Sequence, residues 1–197
     1  MKGIDKVRAQ VAESVNAKQA ILNDEEMLEK IARAAQICTE AYRKGGKVMF
    51  AGNGGSAADA QHLAGELVNK FYFDRPGLAA MSLSTDTSIM TAIGNDYGFE
   101  KLFARQLEAH GREGDVFVGI STSGNSANII EAMKACREKG ITGIGLTGCR
   151  PCKMDGLCDL VIKAPSAETP RIQECQTLIG HIICALVEEN IFGNQEE

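Results

Sequence analysis

The sequence predicts an α/β protein in which helices flank a doubly wound sheet of five parallel strands. Five short apolar runs alternate with longer segments of helical periodicity along the chain. Two of these runs end in loops rich in glycine or serine, at the strand ends where open parallel sheets bind ligands. With 197 residues, the chain is long enough for one sizeable core, so we expect a single domain over residues 1–197.

Two helices are predicted before the first strand, within residues 1–46. The first spans residues 4–22. Asn23 and Asp24 are a candidate N-cap pair for the second, which ends near Gly45-Gly46. Because two helices are more than one sheet face needs, we expect the first to pack against another subunit. Its apolar residues form one stripe: Ile4, Val7, Val11, Val15 and Leu22.

The first strand, Val48 to Ala51, runs into the turn Gly52-Asn53-Gly54-Gly55-Ser56, and a helix follows. Glycines let a backbone approach a ligand closely, and the free amides of a helix N-terminus favour an anion. Asn53 adds a side-chain amide at the same place. The sequence therefore predicts an anion site after the first strand.

The remaining elements alternate as a doubly wound sheet requires. Thr85 and Asp86 can cap a short helical piece that reaches Ala92, and residues 94–98 are predicted to be a turn. Further strands are expected at 78–84, 116–120, 142–146 and 160–164, and further helices at 99–110, 127–139 and 170–191.

His62 and Glu66 are four residues apart on the first of the flanking helices, so they share a face. A histidine and a carboxylate at this spacing can hold a metal ion or handle a substrate proton. The alternative is an ordinary solvated polar pair. The glycine turn just upstream favours the functional interpretation.

The stretch Ser121-Thr122-Ser123-Gly124-Asn125-Ser126 lies between the third strand and a helix. Hydroxyls combined with free helix-end amides can hold a phosphate without lysine or arginine. The stretch is neither a Walker loop nor a dinucleotide-binding fingerprint. The alternative is an ordinary capped turn, although four hydroxyls in six residues exceed what a cap requires.

The other histidines and the cysteines leave alternatives open. His181 lies in an apolar helix, where a buried, hydrogen-bonded role is the simpler interpretation, and Gln173 lies two turns upstream on a similar face. His110 precedes a glycine at a helix end and suits a capping role. Cys149, Cys152 and Cys158 could hold zinc with a fourth ligand, but the sequence has no second cysteine pair of this kind. Core positions are expected for Cys136, Cys175 and Cys184.

Composition restricts the possible partners and compartment. The formal net charge is −5 and no basic cluster occurs, which argues against nucleic-acid binding. We expect no membrane span, no secretory signal and reduced cysteines, hence a cytoplasmic protein.

The segments AGNGGSAADAQHLAGEL, AIGNDYGFEKLF, GISTSGNSANI and TPRIQE together resemble the sugar isomerase (SIS) family, and more narrowly the phosphoheptose isomerases. The resemblance covers nearly the whole chain. It implies a flavodoxin-like fold and a cytoplasmic homotetramer with active sites between subunits. It also implies conversion of sedoheptulose 7-phosphate into D-glycero-D-manno-heptose 7-phosphate for surface glycans such as lipopolysaccharide.

The resemblance also implies roles for particular residues. Glu66 would be the catalytic base and His181 the acid, and one zinc ion would bind per subunit. The zinc ligands would be His62, Glu66, Gln173 and His181. The phosphate would contact Ser121, Thr122, Ser123, Ser126 and Ser56, and the sugar would contact Asn53, Gly54, Gly55, Asn95 and Asp96. Some members carry an acidic residue where this chain has Pro170, so no role is carried over to that position.

Two other functions are compatible with the SIS fold. One is a non-catalytic tetramer that binds the DnaA initiator protein, but that relative lacks the carboxylate and the histidine found here at Glu66 and His181. The other is a sugar-phosphate sensor, which is usually attached to a further domain. The enzyme is therefore the preferred interpretation.

Overall fold

The computed structural model describes residues 3–193, which form a parallel sheet between two layers of helices. The order of the strands in the sheet is β2-β1-β3-β4-β5, and all neighbours are parallel. This confirms the doubly wound sheet and has the strand order of flavodoxin-like folds. The strands are β1 (Val48–Gly52), β2 (Ala80–Ser82), β3 (Val116–Ile120), β4 (Thr142–Gly148) and β5 (Leu160–Ala164).

Seven α-helices are present in the described residues, together with two short 3-10 turns. Asp24 caps the second helix as predicted, because its Oδ1 accepts a hydrogen bond from the Met27 amide at 3.0 Å. The helices are α1 (Gly3–Leu22), α2 (Glu25–Arg43), α3 (Gly55–Val68), α4 (Thr87–Tyr97), α5 (Leu102–His110), α6 (Ala127–Lys139) and α7 (Thr169–Phe192).

The sheet separates two apolar clusters because alternate side chains of a strand point to opposite faces. Val48 and Phe50 of β1 pack with α2, α3 and α7 on one face. Met49 and Ala51 of the same strand pack with α5 and α6 on the other face. Both faces are covered, which is why the central strands are apolar throughout.

The main differences from the predicted elements are at β2 and at the end of α4. β2 is only three residues long instead of spanning 78–84, because the Leu78 amide leaves the sheet and donates to the Leu67 carbonyl at 3.0 Å. Of the turn predicted at 94–98, residues 94–97 are instead the last part of α4 and Gly98 is its C-cap. A single helical glycine, Gly94, costs about 1 kcal/mol and does not end the helix, whereas Gly98 ends it at φ 88°.

The apolar stripe of α1 lies on the outside of the chain. Its five members, Ile4, Val7, Val11, Val15 and Leu22, are between 56% and 65% exposed. Only Ala17 and Ile21 of α1 are buried. The packing of this helix within one chain therefore leaves its larger apolar residues uncovered.

Candidate active site

The candidate site lies at the carboxyl edge of the sheet, where the chain turns in opposite directions after β1 and β3. These strands are neighbours, with Gly52 opposite Ile120. The helix after β1 packs on one face of the sheet and the helix after β3 packs on the other. Open α/β sheets bind their ligands at such a switch point.

Glycine is required in the turn after β1. A Cβ on Gly52 would lie 2.4 Å from the Ser56 carbonyl oxygen, inside contact distance. Ser56 itself is buried, in the first turn of α3. A Cβ on Gly55 would collide with the side-chain amide of Gln173 on α7. The turn is therefore compact, and Gln173 lies directly against it.

The hydroxyl loop after β3 gathers its serines around Ser121. Ser121 Oγ lies 2.9 Å from Ser126 Oγ and 3.5 Å from Ser123 Oγ, and Ser121 is buried. Ser126 is the N-cap position of α6, yet its side chain makes no capping hydrogen bond. The predicted phosphate loop thus has three converging hydroxyls next to the free amides of a helix start.

The two loops are joined by a pair of asparagines. Asn53 Nδ2 donates to Asn128 Oδ1 at 2.9 Å, and Asn128 Nδ2 donates to Asn53 Oδ1 at 2.8 Å. Asn128, which is 1% exposed on α6, was not among the predicted site residues. An asparagine in the first turn after the hydroxyl loop was the available signal, but its partner 75 positions away could not be identified from the pattern.

His62 and Glu66 on α3 meet His181 on α7. His62 Nε2 lies 2.9 Å from Glu66 Oε1 and 3.2 Å from His181 Nε2. These three residues are called the trio below. The predicted i,i+4 pair is therefore real, and His181 joins it from 119 residues away in the chain. The His62 and Glu66 side chains are 45% and 24% exposed, so the pair is partly solvated, and His181 is half-buried rather than enclosed in the core.

The donor atoms of the trio fit a divalent metal. They all lie within 4.8 Å of one another. Two ligands in a tetrahedral zinc site are about 3.3 Å apart, since each zinc–nitrogen bond is about 2.0–2.1 Å, and the observed separations of 2.9 and 3.2 Å are close to this value. Two imidazoles and one carboxylate also form a known zinc-binding set that leaves a coordination position open.

A polar pair lies beside the trio between the same helices. Thr177 Oγ1 of α7 donates to Asp59 Oδ1 of α3 at 2.8 Å. Burial raises the pKa of Asp59, although the Thr177 hydrogen bond and the nearby His62 and His181 oppose the rise. Asp59 was not predicted, because an aspartate three residues before a histidine has no distinctive pattern.

The structure places some predicted residues away from the trio. Gln173 contacts Gly55, which is seven residues, or about 10 Å of helix, before His62. Asn95 and Asp96 lie exposed on the last turn of α4, where Asn95 Nδ2 donates to Asp96 Oδ1 at 2.8 Å. Among residues 3–193, the side chains of these three residues make no hydrogen bond with the trio.

The cysteine tract does not form a comparable cluster. Over residues 3–193, the trio is the one group of three potential ligands whose atoms lie this close together. All seven cysteines are free. Cys136, Cys175 and Cys184 are buried, as predicted, and burial raises the pKa of the Cys136 thiol to about 12.

Comparison with known proteins agrees with the fold and the loops. A family model for the SIS domain matches residues 11–148. The switch-point site and the hydroxyl loop thus define an SIS-domain protein.

The relatives within that class are isomerases. A phosphoheptose isomerase from Aneurinibacillus thermoaerophilus is 62% identical over 191 residues, which are 97% of this chain and 96% of that protein. The solved phosphoheptose isomerase of Neisseria gonorrhoeae has a TM-score of 0.88 and 44% identity, covering 94% of this chain and 98% of the other. The solved phosphoheptose isomerase of Francisella tularensis has a TM-score of 0.92 and 35% identity, covering 96% of this chain and 100% of the other. The chain belongs to the phosphoheptose isomerase family of SIS-domain proteins, and it is an isomerase.

None of the helices described between residues 3 and 193 has the length and apolar character needed to cross a membrane.

Proposed function

We propose that this isomerase converts sedoheptulose 7-phosphate into D-glycero-D-manno-heptose 7-phosphate through an enediol. The observation that carries the proposal is the meeting of His62, Glu66 and His181 in one place. This cluster contains a candidate base, Glu66, and a candidate acid, His181, and the three residues together could bind a metal ion. The substrate class comes from the family, whose members named above are phosphoheptose isomerases.

The hydroxyl loop is proposed to hold the phosphate of the substrate. The hydroxyls of Ser123 and Ser126 each lie within 3.5 Å of the Ser121 hydroxyl, and Thr122 is the fourth hydroxyl of the loop. The amides at the start of α6 add donors that favour an anion. Binding a phosphate remote from the reacting carbons supplies energy that positions them.

Glu66 and His181 are proposed to move the protons. Glu66 takes a proton from C1 of the ketose while His181 donates a proton to the C2 carbonyl oxygen, which gives the enediol. Glu66 then returns a proton to C2 and His181 takes the proton of the C1 hydroxyl, which gives the aldose. The alternative role of His181 is to assist ring opening. A general base and acid of this kind each contribute about 10²–10⁴ in rate.

Zinc is the proposed cofactor, at one ion per subunit. Its ligands would be His62, Glu66 and His181, with Gln173 as the fourth. When bound, a divalent ion supplies polarisation of the substrate carbonyl and stabilises negative charge on oxygen.

We further propose that the site lies between subunits of a homotetramer. Gln173 and His181 are eight residues apart on α7, or about 12 Å along the helix axis. Gln173 also lies against Gly55 rather than the trio. This separation supports a fourth ligand from a second copy. The exposed apolar stripe of α1 supports a subunit contact as well.

The product is proposed to supply heptose for lipopolysaccharide core or another surface glycan, made in the cytoplasm. The free thiols of all seven cysteines agree with a reducing compartment. The alternative, a tetramer that binds the DnaA initiator, gains no support from the relatives reported above. The presence of both Glu66 and His181 also favours the enzyme.

The reaction can be followed by proton NMR with sedoheptulose 7-phosphate in D2O. We expect an aldoheptose phosphate that carries deuterium at C2, loss of the reaction with a chelator, and its return with zinc. A zinc-replete protein that gives neither product nor exchange would refute the isomerase proposal. Activity that persists after complete metal removal would refute the zinc requirement alone.

A further inference from the structure

A buried ion pair ties the segment after α3 to the last helix. Arg75 Nε lies 2.8 Å from Glu188 Oε1, and the two side chains are 1% and 0% exposed. Glu188 also accepts hydrogen bonds from the backbone amides of Phe71 at 2.8 Å and Tyr72 at 2.7 Å. Burial alone would raise the pKa of Glu188, but these amides and Arg75 together lower it.

The remaining donors of Arg75 fix the end of α3. Arg75 Nη2 donates to the backbone carbonyl of Glu66 at 2.9 Å, and Nη1 donates to that of Leu67 at 2.7 Å. A buried ion pair contributes little by itself unless its other hydrogen-bonding groups are also satisfied. Here they are satisfied by backbone atoms, so the pair determines the path of residues 69–77.

The path of that segment places the Phe71 ring beside the trio. Its centroid lies 5.5 Å from the centroid of the His181 ring, with the planes inclined at 44°. The ring is half-buried. The backbone amide of the same residue donates to Glu188, which lies about two helical turns beyond His181 on α7. One aromatic ring is thus anchored against one imidazole of the trio.

We propose that Phe71, anchored by Arg75 and Glu188, is a positioning residue for the metal-binding trio. Its ring limits the rotation of the His181 imidazole and keeps water away from one side of the ligand nitrogen. Apolar surroundings of this kind control solvent access to metal sites, and groups outside the ligand set commonly alter metal affinity by 10–100-fold. The inference rests on the proposed function in so far as the trio binds a divalent ion.

The test compares zinc affinity across variants of the full chain, by competition with a zinc-binding dye. We expect Phe71→Ala to bind zinc about tenfold more weakly, and Phe71→Tyr, which keeps the ring, to retain wild-type affinity. Phe73→Ala is the matched control, because no ring contact with His62 or His181 is found for Phe73 among the described residues. Circular dichroism at the assay temperature checks that each variant is folded.

Unchanged zinc affinity in folded Phe71→Ala would overturn the inference, and so would an equal loss in Phe73→Ala. If Phe71→Ala does not fold, Phe71→Leu, which removes the ring but keeps apolar bulk, takes its place with the same expectation. A wild-type protein that binds no divalent ion would also overturn it. Turnover is measured separately: zinc-bound wild-type protein that fails to isomerise the heptulose phosphate refutes the reaction, while the affinities still decide the role of Phe71.

Discussion

Glu66 combines two proposed roles, because the same carboxylate would bind the metal and take the substrate proton. Its Oε1 is 2.9 Å from His62 Nε2, and its backbone carbonyl accepts from the buried Arg75. The residue is therefore fixed at both its main chain and its side chain. Glutamine has nearly the same shape as glutamate but is not basic. Replacing Glu66 by glutamine therefore removes the base and leaves the shape of the side chain nearly unchanged.

We expect Glu66→Gln to lower kcat by at least about 10²-fold, the contribution typical of a general base. The proposed phosphate contacts lie on the hydroxyl loop and not on Glu66, so we expect substrate affinity to change little. Steady-state kinetics and calorimetric binding of the substrate measure the two effects. Near-normal turnover in this variant would remove Glu66 from the role of base.

The chemistry of single residues was predictable where it depends on local spacing. The i,i+4 pair of His62 and Glu66 and the hydroxyls after β3 could be found because a helix turn and a strand end bring neighbours together. The hydrogen-bond partners of Asn53 and Glu188 could not be predicted from the sequence. The partner of Asn53 is 75 residues away, and the partners of Glu188 are more than 100 residues away. Burial of an asparagine or a glutamate is decided by packing, which the local pattern does not contain.

Helices α3 and α7 carry the whole trio, so their separation sets its geometry. They are in close contact where Leu63 packs on Gly180, the residue just before His181. A Cβ on Gly180 would be 2.5 Å from Leu63 Cδ1. The trio therefore depends on a glycine that has no chemical role.

We expect Gly180→Ala to destabilise the protein by about 1–3 kcal/mol, as overpacking does, and to weaken zinc binding by moving His181 away from His62. Gly65→Ala is the matched control, since this helical glycine of α3 has nothing within 4 Å of the added carbon. The control should be neutral or more stable by up to about 1 kcal/mol. Chemical unfolding and zinc titration measure both variants, and an unperturbed Gly180→Ala protein would contradict this account of the helix contact.

Most elements were predictable because their signals are strong and local. Asp24 caps α2, and the apolar runs at β1 and β3 are long enough to be recognised. The end of α4 was not predictable, because the sequence does not distinguish a glycine inside a helix from a glycine that ends one. The backbone decides between them: only Gly98 adopts the positive φ that other residues avoid.

We propose that each metal site of the assembled protein is completed by a residue from a second subunit. Gln173 lies about two helical turns from the trio of its own chain, against Gly55. If it ligates the metal of a second subunit, inactive variants should complement each other. This distinguishes a shared site from one built within a single chain.

We expect Gln173→Ala and His181→Ala to be inactive alone, and co-expressed mixed oligomers to regain activity. About one site in four would then combine an intact trio from one subunit with an intact Gln173 from another, for random assembly of a symmetric tetramer. Differently tagged chains allow the mixed species to be isolated and assayed. A purified mixed oligomer without activity would place the whole site within one chain.

The meeting of residues 119 positions apart also has a consequence for how the protein is made. During synthesis, α3 leaves the ribosome long before α7, and contacts between such distant segments form slowly because a long loop must close first. The trio can therefore form only after the final helix has been synthesised and has packed against α3. Tight metal capture would then mark a chain whose translation and folding are both complete.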